Sequence, residues 1–471
     1  MSNLNRDVLY LIFEQIQDDK NTLYSCLLVN KPWCETTVPI LWKNPWKNLK
    51  EKNEKLLSNV ILSHLSNVSR NKIREYKLLT NFYQKLSFNY IRYCRHLNLD
   101  IVQRIIINNN DIYEKDKNLN VQNEVLNLLI NENMKYTHLY IYQNFDSQIH
   151  LTHEAKRCFS EIEFLSCSTG IKDNIISILT ETCKSIKKLE LFIKLVNNNY
   201  GIVKFIEAQT KLFDVGLIRT FYYDGTFYEI LEKSLIKHAS TIQYFKITRR
   251  PSTNILSSFK NLKELELTCA AQCVASLNYL ENLSFPFLQV LKSNNIPIEA
   301  LTSLIMNTKG FLVEIKLDYI RNNRHDEISN KKLIQVIYQN CPNIKYLKLI
   351  ISNCGILEFE TLLIRCKYLK VLYLIIDDNQ FDWNKLFEIL SKSSSTSLFK
   401  FKLYSDSLPK LESFKLFFDN WKGRHPMFLQ IFSDPVSIDS RMIERYKEEG
   451  IIKKFDCMHW RRKRNEGFDW T

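Results

Sequence analysis

Glycine is scarce in this chain: nine in 471 residues, with the closest pair, Gly216 and Gly225, nine positions apart. A GxGxxG turn or a P-loop needs glycines a few residues apart, because a Cβ would block the backbone from a phosphate. Phosphate cradling of either kind is therefore excluded. GxSxG and HExxH are missing, and none of the twelve cysteines forms a CxxC pair. His150 and His153 in "HLTHE", followed by Cys158, have no closing CxxC or HxxxH and read as a surface pair; no metal site is expected. No cofactor and no catalytic residue is expected either, so the chain is not read as an enzyme. No run of 18 apolar residues occurs, which excludes a membrane-spanning helix. The first apolar stretch is broken by Asn5, Arg6, Asp7, Glu14 and Gln15 and is no secretory leader, so a reducing compartment, cytoplasmic or nuclear, with buried thiols is expected.

What is present is hydrophobic (45%), aromatic (12%) and basic, with 65 Lys and Arg against 51 Asp and Glu, a formal charge of +14. This is a folding composition on a chain too long for one simple core. Its charge favours acidic partners in general. The basic "RRKR" at 461–464 reads as part of a solvated tail, with a nuclear-localisation or nucleic-acid patch as the other reading.

The first forty residues hold a small apolar module, "LNRDVLYLIFEQIQDDKNTLYSCLLVNKPWCETTVPILW" (4–42). Asn5 can cap a helix, Asp7 suits its first turn, and Leu9, Ile12, Phe13 and Ile16 share one helical face. "QDDKN" reads as a turn. A second helix carries Leu23, Cys26 and Leu27, and Pro32 restarts the chain before Trp33. Three short helices bury little area of their own, so they either cap the rest of the chain or complete their core against a partner helix.

These residues resemble an F-box over positions 4 to about 46. The matching positions are Leu4, Val8, Leu9, Ile12, Phe13, Ile16, Leu23, Cys26, Val29, Trp33, Leu41 and Trp42, with Asn5 where the family usually has proline. The resemblance implies docking to a Skp1-like adaptor, and through it to a cullin, by Leu4, Leu9, Ile12, Phe13, Ile16, Leu23, Cys26, Val29, Trp33, Leu41 and Trp42. The domain behind would select a protein for ubiquitination.

Behind the module a φxxφxφ pattern repeats, clearest in "IKKLEL" (186–191), "LKELEL" (262–267), "IKYLKL" (344–349) and "LKVLYL" (369–374). Ten copies aligned on their fourth position run from 165 to 401, nine steps over 236 residues or about 26 each. Earlier, less regular copies are "CRHLNL" (94–99) and "YTHLYI" (136–141). Helical patterns at 174–183, 298–308 and 331–341 lie between copies. A strand plus a helix every 26 or so residues is the signature of a leucine-rich-repeat solenoid, and the whole resembles the leucine-rich-repeat class of F-box proteins. The expected fold is α/β: a three-helix F-box (1–46), a helical connection (47–90), an irregular horseshoe solenoid (91–433) and a basic tail or cap (434–471). Residues 108–124 read as a loop or insertion, 391–397 as a flexible turn, and "SRMIERYKEEG" as an amphipathic helix. Cys183, Cys341 and Cys366, three residues before a copy's first apolar position, suggest the cysteine-containing repeat subtype, with small buried thiols where helix turns into strand. The family's turn asparagine is mostly missing, "SNC" after 350 being the nearest approach.

In such a strand the third, fifth and seventh residues face the concave side. Fifth positions run Ser166, Glu190, Gly216, Lys246, Glu266, Lys292, Lys316, Lys348, Tyr373 and Lys402, five of ten being lysine. With Tyr244 and Tyr346 at third positions, the lysines suggest a surface for an acidic or phosphorylated protein segment. Exposed strand lysines in a Lys-rich chain are the plainer reading. The expected function is substrate recognition in an SCF-type ubiquitin ligase, acting by proximity. The alternative is a basic repeat scaffold binding protein or nucleic acid; no membrane partner is expected, nor is nucleic acid favoured. Partial exposure of Leu9, Ile12, Phe13 and Trp33 would favour the first reading, and their packing on the first repeats the second.

Overall fold

The N-terminal helices form where the caps place them. The computed structural model describes residues 4–74, 86–108, 115–142, 153–219, 226–269, 278–318, 327–376, 380–405, 409–433 and 439–459. Helix α1 (Arg6–Gln15) is capped by Asn5, whose side chain accepts the Asp7 N–H at 3.3 Å. Helix α2 (Lys20–Cys26) is capped by Asp19, which accepts from the Thr22 N–H and hydroxyl at 3.1 and 2.6 Å. Helix α3 (Lys31–Trp42) starts on Asn30, which accepts the Trp33 N–H at 3.0 Å; Pro32 sits in its first turn, where no N–H is missed, and Pro39 lies inside. Helices Glu51–Leu62 and Asn67–Arg74 follow, as the connection requires.

The rest is α/β. The chain divides into two compact units, Met1–Lys237 and His238–Thr471. In the first, five strands pair in parallel and in chain order: β1 (His96–Asn98), β2 (His138–Ile141), β3 (Phe164–Ser168), β4 (Lys188–Ile193) and β5 (Asp214–Arg219). In the second, nine strands do the same: β6 (Tyr244–Ile247), β7 (Glu264–Thr268), β8 (Val290–Asn294), β9 (Glu314–Asp318), β10 (Tyr346–Ile351), β11 (Val371–Ile376), β12 (Lys400–Ser405), β13 (Met427–Ser433) and β14 (Ile452–His459). Helices separate most of the strands, among them Asp173–Thr182, Ile298–Met306 and Glu327–Asn340.

Registry follows the fourth positions. Leu165 faces Leu189 and then Val215, Leu265 faces Leu291, and Leu347 faces Leu372, all fully or almost fully buried. Burying one such side chain is worth roughly 1.5–3 kcal/mol, so a one-residue slip would expose a whole row. The second residue of most copies lends its carbonyl to two N–H groups of the next: Glu163 takes Lys187 and Lys188 at 2.8 and 3.0 Å, and Gln289 takes Val313 and Glu314 at 2.9 and 3.1 Å. At the first copy that role falls to Lys43, just after α3, which accepts from Arg95 and His96 at 3.0 and 3.2 Å. The Trp46 indole adds a bond to the His96 carbonyl at 2.8 Å. The N-terminal helices thus end where a preceding strand would lie, and they close the open edge of β1.

The cysteines sit as the repeat pattern suggests. Cys183, Cys341 and Cys366 are buried, and the Cys183 thiol donates to the Phe159 carbonyl at 3.1 Å. Burial pushes Cys183 up to about 11 and Cys366 to about 12, with Cys341 raised further; such thiols are unreactive. Asn353 fills the turn-asparagine role, donating to the Gln380 carbonyl at 3.0 Å and accepting the Asp382 N–H at 2.8 Å.

Three segments depart from expectation. Residues 115–129 form a helix, Lys115–Leu129, in which Val121, Val125, Leu126 and Leu129 are buried, rather than continuing the loop. β13 and β14 extend the parallel set beyond the copies recognised in the sequence, and the amphipathic helix Ser440–Glu448 packs Met442, Ile443 and Tyr446 inward between them. The serine-rich turn 391–397 is tied down. The Arg424 guanidinium donates to the carbonyls of Ser391, Ser394 and Ser395 at 2.6, 2.8 and 2.7 Å and stacks 4.2 Å above Trp421. It completes the end of the helix Trp383–Ser393, where a cation is favoured. Arg424→Ala is expected to destabilise the second unit by about 2–4 kcal/mol, because it strands several carbonyls at once; a urea titration read at the buried Trp421 measures it.

Candidate functional site

Two surfaces hold the residues singled out by the sequence. The first is the N-terminal module. Leu9 (2% exposed), Phe13 (1%), Leu23 (0%) and Cys26 (6%) pack with Ile40 into the module's own core. Trp33 lies edge-on to Phe13 at 5.2 Å, and Ile16 and Leu41 are partly buried against the same cluster. Trp42 is half-buried against Tyr90, ring to ring at 4.7 Å. This corrects the docking set. Leu9, Phe13, Leu23 and Cys26 are buried in the module's own core and do not lie on its surface. Among the described residues, their cluster draws no member from the first repeats.

Leu4, Ile12 and Val29 of the expected set are exposed, and the structure adds Val8, Leu11 and Leu28. Leu4, Val8, Leu11 and Ile12 fall at i, i+4, i+7 and i+8, one stripe along α1 and the residue before its cap. Leu28, 89% exposed, and Val29 project from the turn between α2 and α3. The helical spacing of Leu4, Val8 and Leu11 was the available signal for this stripe.

The second surface is the strand face opposite the helices. In the second unit four of the five expected lysines meet carboxylates. Lys246 meets Glu266 at 2.7 Å, Lys292 meets Glu264 at 2.6 Å, Lys316 meets Glu314 at 2.7 Å and Lys348 meets Asp318 at 2.5 Å. Burial alone would lower the Lys292 pKa, but hydrogen bonding to Glu264 and the charges of Glu264, Glu314 and Glu266 hold it above the ordinary value. Lys348 also stands 4.6 Å above Tyr373, Lys402 is buried, and Tyr244 and Tyr346 are half-buried. From β6 to β10 the expected lysine stripe is therefore a ladder of alternating charge, four lysines against four carboxylates, and that part presents no basic field of its own.

The first unit's strand face differs. Its rings form a continuous chain: His96 stacks on His138 at 3.8 Å, His138 meets Phe164 at 5.3 Å, Phe164 meets Tyr140 at 5.4 Å, Tyr140 meets Tyr142 at 6.4 Å, and Tyr142 meets Phe192 edge-to-face at 4.8 Å. All are half-buried. The Ser166 hydroxyl donates to the Glu190 carboxylate at 3.2 Å and lies 3.0 Å from the Tyr142 hydroxyl, and Lys188 bridges Asp214 at 3.1 Å and Glu190 at 3.5 Å. Burial, then the neighbouring His138, Lys43 and Lys47, push His96 down to about 3, and burial lowers His138, so both imidazoles are neutral. Burial also pushes Tyr140 up to about 12 and raises Tyr142. Sequence reasoning missed this chain of rings. The signal lay in the third, fifth and seventh positions of "CRHLNL" and "YTHLYI".

Among the described residues no three His, Cys, Asp or Glu side chains are grouped to hold a metal, and no helix is long and apolar enough to cross a membrane. His150, the His153 side chain and "RRKR" lie outside what is described. No family model matches this chain, and no curated protein matches it.

Proposed function

We propose that this chain is the substrate-recognition subunit of an SCF-type ubiquitin ligase, its N-terminal helices acting as an F-box that docks a Skp1-like adaptor and its leucine-rich-repeat-like strands holding the target. The observation that carries the reading is an exposed apolar stripe on a module whose own core is already closed. Leu4, Leu11, Ile12, Leu28 and Val29 are 52, 59, 45, 89 and 55% exposed, and an exposed apolar group of this kind marks an interaction surface. The bonds from Arg95 and His96 to Lys43 support the mechanism, because a fixed join between docking module and first strand holds a bound target at a set position relative to the ligase.

The test is capture of the full chain by purified Skp1. Ile12→Asp with Leu28→Asp, both at exposed positions, are expected to cut capture at least about 30-fold by placing charge in an apolar interface, with no change in the unfolding midpoint. A folded wild-type chain that Skp1 does not capture overturns the reading. The capping role of residues 43–46 favours the alternative, a repeat scaffold with helices as its lid, and that alternative gains if capture fails.

A further inference from the structure

We propose that the second unit binds single-stranded nucleic acid along the rim where its helices turn into strands β7 to β11, with phosphates on a row of lysines and bases stacked on Phe287, Phe311 and Tyr368. The inference goes beyond the adaptor reading and stands whether or not Skp1 docks at the N-terminal helices.

The five stretches that lead into these strands, 259–263, 285–289, 309–313, 341–345 and 366–370, hold six lysines and neither aspartate nor glutamate. Lys260, Lys309, Lys345, Lys367 and Lys370 are exposed and Lys263 is half-buried. Among the described residues none of the six meets a carboxylate. The adjoining Glu264 and Glu314 are held by Lys292 and Lys316 on the strand face. In the four residues before each stretch the only charges are Glu281 and Arg365, which offset each other. Registry gathers the lysines. The N–H groups of Lys263, Gln289, Val313, Lys345 and Lys370 each donate to the same position of the preceding strand at 2.7–2.9 Å, so these positions form one row. Four steps of roughly 4.8 Å between strands make it about 19 Å long. On the matching rim of the first unit, by contrast, Lys187 meets Glu163 at 2.6 Å and Lys135 meets Glu161. Lys260, Lys309 and Lys367 follow the helices Ile255–Ser258, Ile298–Met306 and Ile356–Arg365, whose dipoles favour a cation there. That accounts for neither the other three lysines nor the rings among them.

The rings decide between anionic occupants. Phe287 and Phe311 are each 51% exposed and Tyr368 is 59% exposed, while the leucine that follows each of them, Leu288, Leu312 and Leu369, is buried. The core takes the leucine and leaves the ring outside. Phe287 and Phe311 lie side by side at 6.4 Å. An acidic peptide would use the lysines and leave these rings bare, whereas every base has a π-face to stack on them. An anionic membrane covers a broad face, whereas these residues follow one line of strand ends, as a polymer backbone does. Composition alone does not favour a nucleic-acid partner; registry, which gathers the lysines into one strip, does.

The experiment is fluorescence polarisation of the full chain with labelled oligo(rU) and oligo(dT) of about 12 nucleotides and a glutamate peptide of equal charge, with sedimentation of phosphatidylserine vesicles alongside. The oligonucleotides are expected to bind in preference, and their ratio reports whether RNA or DNA suits the rim better. Lys345→Glu with Lys370→Glu should weaken binding about tenfold or more and lower the salt slope by about 1.4, two phosphate contacts at about 0.7 each. Phe287→Ala with Phe311→Ala should weaken it about tenfold or more and leave the salt slope unchanged. Lys332→Glu with Lys415→Glu, the same charge change at exposed helix positions outside the strip, should alter it less than about threefold. Preference for the glutamate peptide or the vesicles, oligonucleotide binding by either rim variant equal to that of the wild-type chain, or binding of none of the probes overturns the inference. Equal binding by the rim variants would instead place the contact elsewhere, with Arg461 to Arg464 the first residues to change. Skp1 capture by the same preparation is read separately: a chain that Skp1 captures but oligonucleotides ignore loses this inference and keeps its proposed adaptor role.

Discussion

Phe13→Ala is expected to unfold the N-terminal helices and with them any docking through them. Phe13 is 1% exposed, touches Trp33 edge-on, and belongs to a cluster with four other buried members. Removing a buried phenylalanine from a core costs about 3–5 kcal/mol, and three short helices hold no reserve of that size. Circular dichroism should show lost helix, and proteolysis should cut within residues 4–42 while the strands behind remain resistant. A Phe13→Ala chain that keeps its helices and its proteolytic resistance would show that the repeats, and not the module's own core, hold these residues. Loss of partner binding in this variant would say nothing about contact, which is why exposed Ile12 and Leu28 are the positions to change for that purpose.

The second large effect is acid lability at the join between module and strands. His96 is held near 3 by burial and by the neighbouring His138, Lys43 and Lys47, against 6.5 in the unfolded chain. Tyr140 lies next to it with its phenol uncharged, and the Asn44 amide contacts its Nδ1 at 3.1 Å. His138 shifts the same way, with Glu163 the one carboxylate opposing the shift. With its folded pKa below the unfolded one, His96 lets the unfolded chain bind the extra proton between the two values. Stability is therefore fully present above pH 6.5 and falls as pH drops towards 3. At 1.36 kcal/mol per pKa unit, discounted for the part of the ring that water reaches, the loss by pH 4 is roughly 2–3 kcal/mol. Urea titrations between pH 8 and pH 4 should show the midpoint of the first unit falling in the wild-type chain and falling less in His96→Asn, which cannot titrate. An equal slope in the two would remove the imidazole from the account.

The repeat was legible because its leucines have only one place to go. A φxxφxφ copy buries its fourth and sixth residues in a parallel stack, so the copies in the sequence are the strands, aligned on those positions. β13 escaped notice because Pro426 stands where the copy's first apolar residue belongs, and β14 because "IKKFDC" uses Phe455 and Cys457 in place of leucines. The helix Lys115–Leu129 was hidden by its asparagine-rich approach.

The candidate surfaces were half legible. In a module this small the same apolar residues serve as core and as contact surface, so periodicity could not separate buried Phe13 from exposed Ile12 one position away. The lysine row was visible, but its neutralisation depends on registry: the carboxylate that meets Lys292 lies 28 residues earlier, on the neighbouring strand. The ring chain of the first unit draws on β1 to β4, and its first links come from copies too irregular to anchor an alignment.

The adaptor reading is tested most directly by hydrogen exchange of the full chain with and without purified Skp1. The account predicts that added Skp1 slows exchange within residues 4–42, most strongly along α1 and the turn at Leu28 and Val29, and leaves the strands unchanged. Unaltered exchange across those residues at Skp1 concentrations of about 10 μM, well above what a stable docking interface requires, would contradict it and leave the helices as the lid of a repeat scaffold.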